Sequence, residues 1–405
     1  MLRCGLLGQH LGHSYSPQIH NQLASYDYQL FEKEPDELAD FLTSGTFDGL
    51  NVTIPYKKAV IPYLDELSEK ARTIGSVNTI VRRGGKLYGY NTDAFGFTWM
   101  IQKSGVDTHG KKALVLGSGG ASVTICYVLR RLGAEPIVIS RHGEDNYDNM
   151  AKHQDAEILI NTTPVGMYPD TGKSPCDLRQ FPHLAGVFDV VYNPARTALL
   201  LQAEALGIPN INGFSMLVAQ AKESCEYYTQ TKIPDSEIDR IDRLLSLQMQ
   251  NIILIGMPGC GKSSVGRALA ATLNRPFYDA DTIIEQQAGC SIPALFAAQG
   301  EDAFRALESK VLGELGKLSG AVIATGGGSV TREENYPSLH QNGRIIWLKR
   351  DLSLLPTAGR PVSQANPLDA LYEARKALYA RFSDAAVCNE GSIAQCVEQI
   401  QEVLK

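Results

Sequence analysis

No stretch of this 405-residue chain approaches the roughly 18–20 consecutive apolar residues that a membrane-spanning helix requires. Its opening residues, Met1-Leu2-Arg3-Cys4-Gly5, pass directly into a short strand-like run and the polar Gln9-His10. They lack the longer apolar segment and small-residue cleavage site of a secretory leader. Cysteine is sparse: eight residues, none in a Cys-x-x-Cys pair or in a Cys/His cluster at zinc spacing. That pattern reads as reduced thiols in a cytoplasm. Positive charge is not in excess either. Thirty-eight Lys and Arg against 44 Asp and Glu leave a formal net charge of −6, which argues against a dedicated nucleic-acid binder. Internal repeats and low-complexity tracts are also missing.

What remains is an ordinary soluble composition, 44% hydrophobic and 20% charged, in a chain too long for one core. Strand-like runs alternate with helix-like segments throughout, which predicts an α/β protein with mainly parallel sheets. Two segments run strand, glycine loop, helix. Lys112–Leu116 precedes Gly117-Ser-Gly119-Gly120-Ala121-Ser122, and Asn251–Ile255 precedes Gly256-Met-Pro-Gly259-Cys-Gly261-Lys262-Ser263-Ser264. Two phosphate loops of different design imply two nucleotides and two folds.

The second loop fits the Gly-x-x-x-x-Gly-Lys-Ser pattern, and its strand and helix stand in the required order. Backbone N–H groups of the loop and helix start would face the phosphates. Lys262 would reach the β- and γ-phosphates, and the Ser263 hydroxyl would ligate Mg²⁺. Downstream, Phe277-Tyr-Asp279-Ala-Asp281 reads as a strand end with two carboxylates on one side. Gly300-Glu301-x-x-Phe304-Arg305-x-x-Glu308 offers a guanidinium fork suited to a carboxylate. Val322-Ile-Ala-Thr325-Gly326-Gly327-Gly328 is a strand ending in three glycines, and Arg360 and Arg375 follow in a loop-like and a helical stretch. Taken singly, the carboxylates fit a solvated turn and Arg305 a surface ion pair with Glu301 or Glu308.

Together, in this order and spacing, the motifs of residues 250–405 resemble shikimate kinase. The resemblance implies that ATP binds through Gly256, Gly259, Gly261, Lys262, Ser263, Ser264 and Arg360, with Arg360 on a lid. It implies Ser263 and Asp279 at the magnesium ion, and Asp281 at the reacting hydroxyl with Lys262 assisting catalysis. Shikimate would be held by Asp281, Arg305, Gly326, Gly327, Gly328 and Arg375. This chain has Ala377 where the family commonly has proline.

The amino-terminal part carries polar groups at the ends of strand-like runs. Gly12-His-Ser14-Tyr-Ser16-Pro17 sets two hydroxyls before a helix, able to hold a carboxylate or merely to cap. Gly49-Leu-Asn51-Val-Thr53-Ile-Pro55-Tyr-Lys57 places a lysine just past a strand. Ser76-Val-Asn78-Thr79 and Gly89-Tyr-Asn91-Thr-Asp93 end in groups that turn chemistry alone would also explain. After the first glycine loop, Pro136–Ser140 ends in Arg141 with no acid at its tip. An acid there would bind a ribose hydroxyl, whereas arginine suits a 2′-phosphate, so NADP(H) is expected, with an ordinary surface cation as the plainer reading.

Read in sequence, these motifs resemble shikimate dehydrogenase over roughly residues 1–230. So do Asn161-Thr-Thr-Pro-Val-Gly166-Met167, Tyr192-Asn-Pro194 and Asn212–Gln220. The resemblance implies a substrate domain over 1–93, closed by a helix near 213–230, and a Rossmann-like NADP-binding domain over 94–212. A linker helix over 231–249 would lead to the kinase domain over 250–405. Ser14 and Ser16 would bind the shikimate carboxylate with Tyr192 nearby, and Thr53, Asn78 and Gln220 the ring substituents. Lys57 and Asp93 would form the catalytic pair. Gly117, Gly119, Gly120, Ala121, Ser122 and Arg141 would bind the cofactor. The segment from Arg141 to Asn161 is short and leaves out a helix and strand found in relatives. The implied activities are NADPH-dependent reduction of 3-dehydroshikimate to shikimate and its ATP-dependent phosphorylation to shikimate 3-phosphate. A quinate-type dehydrogenase joined to the kinase, or a shikimate-sensing regulatory protein, are the alternatives. Oligomeric state is left open.

Overall fold

Three sheets carry the functional loops in a computed structural model that describes residues 1–12, 14–355 and 367–404. The chain divides into two compact units, Met1–Leu245 and Ser246–Lys405. The division falls within the helix Ser236–Met249, which turns Ile238, Ile241 and Leu245 inward as the period of its apolar residues dictates.

The first sheet contains β1 (Arg3–Gly8), β2 (Asp27–Glu32), β3 (Gly49–Val52), β4 (Glu66–Leu67), β5 (Thr79–Arg83) and β6 (Lys86–Tyr90), ordered β2-β1-β3-β5-β6-β4. β1 runs parallel to β2 and β3, whereas β5 runs antiparallel to β3 and β6. β3 is buried along its whole length, and Leu50 and Val52 join Leu7, Phe47, Tyr56 and Ile80 in the core below it. Period-two alternation sends Asn51 to the opposite face, level with Thr79 on β5. There both meet Ser224 of the helix Phe214–Thr229.

The second sheet is wholly parallel: β7 (Lys112–Leu116), β8 (Glu135–Ile139), β9 (Ile158–Asn161), β10 (Gly186–Asp189) and β11 (Asn210–Asn212), ordered β11-β10-β9-β7-β8. Its central strands are near-continuous apolar runs because both faces are covered. Helices Asp93–Ser104 and Gly120–Arg131 supply Phe97, Met100, Ile125 and Leu129 to one face; Met150, Leu178, Phe181, Leu199 and Leu200 cover the other. Between β8 and β9 only a 3₁₀ turn, Met150–His153, intervenes. The shortness of that segment in the sequence translates into a five-stranded sheet.

The third sheet is also parallel: β12 (Asn251–Ile255), β13 (Phe277–Asp279), β14 (Val322–Ala324), β15 (Gly343–Lys349) and β16 (Ala385–Cys388), ordered β13-β14-β12-β15-β16. This order sets the carboxyl ends of β13, β14 and β12 side by side, where ligands of parallel sheets bind. Among the described residues, no helix is long and apolar enough to cross a membrane.

Candidate active sites

In the first unit, Lys57 Nζ lies 2.6 Å from Asp93 Oδ2. Lys57 stands in the turns after β3, and Asp93 opens the helix Asp93–Ser104, so the pair joins two elements with the lysine side chain 17% exposed and the carboxylate 7%. Asn78 orients the carboxylate: its Nδ2 donates to Asp93 Oδ1 at 2.9 Å and to Thr92 Oγ1 at 2.9 Å, while its Oδ1 accepts from Thr92 N at 2.7 Å. Gln220, from the helix Phe214–Thr229, presents Oε1 to Asn78 Nδ2 at 3.3 Å and to Asn51 Nδ2 at 3.4 Å. Asn51 also donates to Ser224 Oγ at 2.8 Å and accepts from the Tyr28 hydroxyl at 2.9 Å. Burial holds the Tyr28 phenol far above its ordinary value, with the Ser16 hydroxyl beside it pulling the other way.

Ser14 and Ser16 sit together at the start of the helix Ser16–Leu23, where Ser14 Oγ accepts from Ser16 N at 3.2 Å. Tyr15 between them packs edge-on against Tyr192, with ring centroids 6.1 Å apart. Burial pushes the Tyr192 phenol up to about 12. Thr53 stands one residue beyond β3, on the side of Asn51, with its methyl group filling the space a Cβ on Gly8 would need, 2.7 Å away. Ser14, Ser16 and Tyr192 thus form one group, and Lys57, Asp93, Asn78 and Gln220 another, linked through Ser16, Tyr28 and Asn51.

The cofactor loop meets the same lysine. A Cβ on Gly120 would lie 3.2 Å from Lys57 Cβ and 3.4 Å from Ser76 Oγ, so the helix start at Gly120 rests directly on this pair. Gly117 has φ +108°, and a Cβ there would meet Thr162 Oγ1 at 2.7 Å, whereas Gly119 faces open space. Gly117 forbids a side chain, Gly120 leaves little space for one and Gly119 leaves room, the shape a phosphate-bearing cofactor needs at a helix N-terminus. Ala121 lies in the first turn, and Ser122 is buried within the helix. Arg141 is exposed two residues beyond β8, the strand beside β7. These residues fit a dinucleotide carrying a 2′-phosphate.

In the second unit, the loop between β12 and the helix Lys262–Leu273 turns through Gly256, Gly259 and Gly261, with φ +143°, +83° and +101°. Buried Lys262 curls its ammonium back to Gly256 O at 2.9 Å and Met257 O at 3.1 Å. Ser263 and Ser264 lie in the first turn. Asn389 braces the loop by donating to Cys260 O at 2.7 Å. The two acids differ from the expectation of a shared strand face. Asp279 ends β13 and caps the helix Ala280–Ala288 by accepting from Asp281 N at 3.1 Å, so Asp281 projects from the first helical turn. A carboxylate and a serine hydroxyl are a modest donor set, suited to an ion whose other ligands are phosphate oxygens and water.

Gly326, Gly327 and Gly328 explain themselves by what surrounds them. A Cβ on Gly326 would fall 2.9 Å from Asp281 Oδ1 and against Glu308 Oε1; on Gly327, 2.5 Å from Pro258; on Gly328, against the Arg305 guanidinium. Arg305 is buried and pairs with Glu308 at 2.7 Å and with Glu301 at 3.1 Å. The ion-pair reading of Arg305 therefore holds, though the pair is buried and borders the glycine turn. Arg375 Nη1 and the Tyr379 hydroxyl, one helical turn apart, donate to Gly327 O at 3.1 and 2.5 Å. Burial raises the Asp281 carboxyl above the usual range, with Lys262 opposing and Asp279 and Glu285 adding to the rise. Burial likewise raises Glu308, against the pull of Arg305. Arg360 lies outside the described residues.

Sequence reasoning left out Asn51, Thr92 and Ser224 in the first unit and Pro258, Tyr379 and Asn389 in the second. Asn51, Thr92, Pro258 and Tyr379 stand inside motifs of the sequence, Asn51 at i, i+2 spacing from Thr53, whereas Ser224 and Asn389 come from positions with no motif of their own.

Comparison with known proteins agrees with this geometry. The family model described as shikimate dehydrogenase substrate binding domain matches residues 6–80, and that described as shikimate kinase matches residues 258–405. The shikimate dehydrogenase (NADP(+)) of Caldanaerobacter subterraneus subsp. tengcongensis is 37% identical over 255 residues, 56% of this chain and 90% of its own length. That of Halothermothrix orenii is 38% identical over 264 residues, 56% of this chain and 91% of its own. Among solved structures, shikimate dehydrogenase 1 from Peptoclostridium difficile superposes with a TM-score of 0.57 at 36% identity, covering 60% of this chain and 98% of its own. The Thermus thermophilus enzyme in complex with NADP(H) and shikimate gives 0.56 at 31%, covering 60% and 99%. The chain belongs to the shikimate dehydrogenase family, and behind that part it carries a shikimate kinase domain.

Proposed function

We propose that the first unit reduces 3-dehydroshikimate to shikimate with NADPH and that the second transfers a phosphoryl group from ATP to the shikimate 3-hydroxyl. The Lys57–Asp93 pair, set against the start of the cofactor helix, carries the first assignment. In this reading residues 1–93 with the helix near 213–230 form the substrate domain and 94–212 the cofactor domain. The 231–249 segment links them to the kinase over 250–405.

Bound NADPH supplies the hydride. Lys57 donates the proton to the carbonyl oxygen, and Asp93 holds the ammonium in place while Asn78 fixes the carboxylate. Ser14, Ser16 and Tyr192 face the substrate carboxylate; Thr53, Asn78 and Gln220 take the ring hydroxyls. In the kinase unit, Asp281 accepts the proton of the reacting hydroxyl, and its raised affinity for protons suits that task. Arg305 and Arg375 hold the carboxylate, and Lys262 and the loop N–H groups offset phosphate charge. Ser263 and Asp279 would hold magnesium, which would supply further charge neutralisation.

The test is a coupled assay. Given 3-dehydroshikimate, NADPH and Mg-ATP, the chain should form shikimate 3-phosphate; omitting ATP should stop at shikimate, and omitting NADPH should leave 3-dehydroshikimate untouched. Failure of the first step alone, or of phosphorylation of added shikimate, removes the corresponding half of the proposal.

A further inference from the structure

The carboxylate of Asp189 has no part in the chemistry above, yet it is fully buried at the end of β10. Its Oδ1 accepts from Asn161 Nδ2 at 3.0 Å and from Val191 N at 3.0 Å; its Oδ2 accepts from the Thr197 hydroxyl at 2.7 Å. Asn161 opens the loop after β9, whereas Val191 and Thr197 stand at the two ends of the loop after β10. Asn161 ends β9, and its Oδ1 accepts from Thr163 N at 3.0 Å and Thr163 Oγ1 at 2.7 Å, shaping the turn that follows. Thr162 in that turn donates to Leu116 O at 2.6 Å and occupies the space beside Gly117, the first glycine of the cofactor loop. Val191 immediately precedes Tyr192, whose ring packs on Tyr15 between Ser14 and Ser16. Thr197 caps the helix Ala198–Ala205.

We propose that Asp189 is a positioning residue for the dehydrogenase site, tying together the loops after β7, β9 and β10 and thereby setting the distance between the cofactor loop and Tyr192. The proposal rests on the dehydrogenase reading of the first unit. A buried carboxylate is costly, and its retention calls for donors that need it. Here three donors from three points of the chain converge on one group, and removing it leaves Val191 N and the Thr197 hydroxyl without an acceptor and Asn161 Nδ2 with only Val165 O at 3.4 Å. All three are uncharged, and burial pushes the carboxyl up to about 7 against their pull. The loops it joins carry one cofactor contact and one substrate contact, so slack in the tie is felt as misplacement of the two ligands relative to each other.

The experiment compares Asp189→Ala and Asp189→Asn in the full chain, by fluorescence titration with NADPH and by steady-state kinetics. Asp189→Ala should weaken NADPH binding by about tenfold and raise the KM for NADPH in parallel, with kcat at saturating cofactor falling less than about threefold. Asp189→Asn keeps an acceptor for Asn161 and Val191 and offers an amide to the Thr197 oxygen, so it should recover binding to within about threefold of the unaltered chain. The amplitude of the first unit's own calorimetric transition counts folded protein. A role confined to stability would lower the apparent kcat and leave the NADPH titration where it was. That result, an unchanged dissociation constant in Asp189→Ala, overturns the proposal. If Asp189→Ala does not fold, Thr197→Val removes one tie together with the cap of the helix Ala198–Ala205, and Thr197→Ser, which keeps both hydrogen bonds, is its control. Thr197→Val should weaken NADPH binding by about threefold, and no change there overturns the proposal equally. Because the titration reads cofactor binding without turnover, failure of the unaltered chain to oxidise shikimate would count against the proposed activity and not against the role of Asp189.

Discussion

Lys57 and Asp93 show how little a single side chain means until its neighbours are known. A lysine in a turn is ordinarily a solvated cation, but here it is held by a nearly buried carboxylate that Asn78 also grips. Lys57→Ala should therefore lower reduction of 3-dehydroshikimate by about 10²–10⁴-fold, with shikimate binding retained and phosphorylation unchanged, measured by separate assays of the two steps. Asp281 makes a prediction in pH. Its carboxyl is raised by burial, so the ionised form needed to accept a proton is lost at a higher pH than for an ordinary carboxylate. The acid limb of the kinase rate should lie above about pH 4, the usual carboxylate value, and Asp281→Asn should abolish turnover while ATP binding persists. Arg141 is the residue proposed to meet the 2′-phosphate of the cofactor. Arg141→Ala should cut the preference for NADP over NAD by about tenfold, read from the ratio of kcat/KM values.

Elements add constraints that no one residue expresses. The turn Gly326–Gly328 has each would-be Cβ position occupied by a different functional neighbour. Gly327→Ala would push on Pro258, so its expected defect is a higher KM for ATP, although Gly327 follows a strand remote from the phosphate loop in sequence. The helix Ser16–Leu23 carries His20, fully buried and stacked on Tyr28. Burial lowers its imidazole from 6.5 to about 3, so the folded form keeps it neutral while the unfolded chain takes up a proton. Stability from this source is complete above about pH 6.5 and drains away as pH falls toward 3. Thermal melts of the first unit should show that slope, and His20→Phe should flatten it.

The strands and glycine loops were legible because their signals are local: apolar runs, then glycines, then a helix. That Lys57 and Asp93 belong together was legible through motifs. What stayed hidden was pairing across long sequence separation, such as Asn51 with Ser224 or Arg375 and Tyr379 with Gly327. Those contacts depend on strand order and helix placement, which residue spacing does not encode. The same holds for the acids at 279 and 281, where a helix starting one residue early re-aims the second.

At the scale of the molecule, each unit has a core of its own. The cluster that includes Ile253, Val322 and Ile345 draws only on the second unit, and those that include Leu50, Val115 and Leu159 only on the first. A cavity in one should leave the other intact. Leu116→Ala, at a fully buried position of β7, should cost the first unit about 2–5 kcal/mol. Calorimetry should show one transition displaced downward and a second unmoved, with phosphorylation surviving to its original temperature. Joining two separately cored catalysts in one polypeptide also fixes their abundance at one to one. A cell that needs more of one step than the other gains nothing from making more of this protein. It has to change a turnover number instead, and the separate cores let mutations do that on one side at a time.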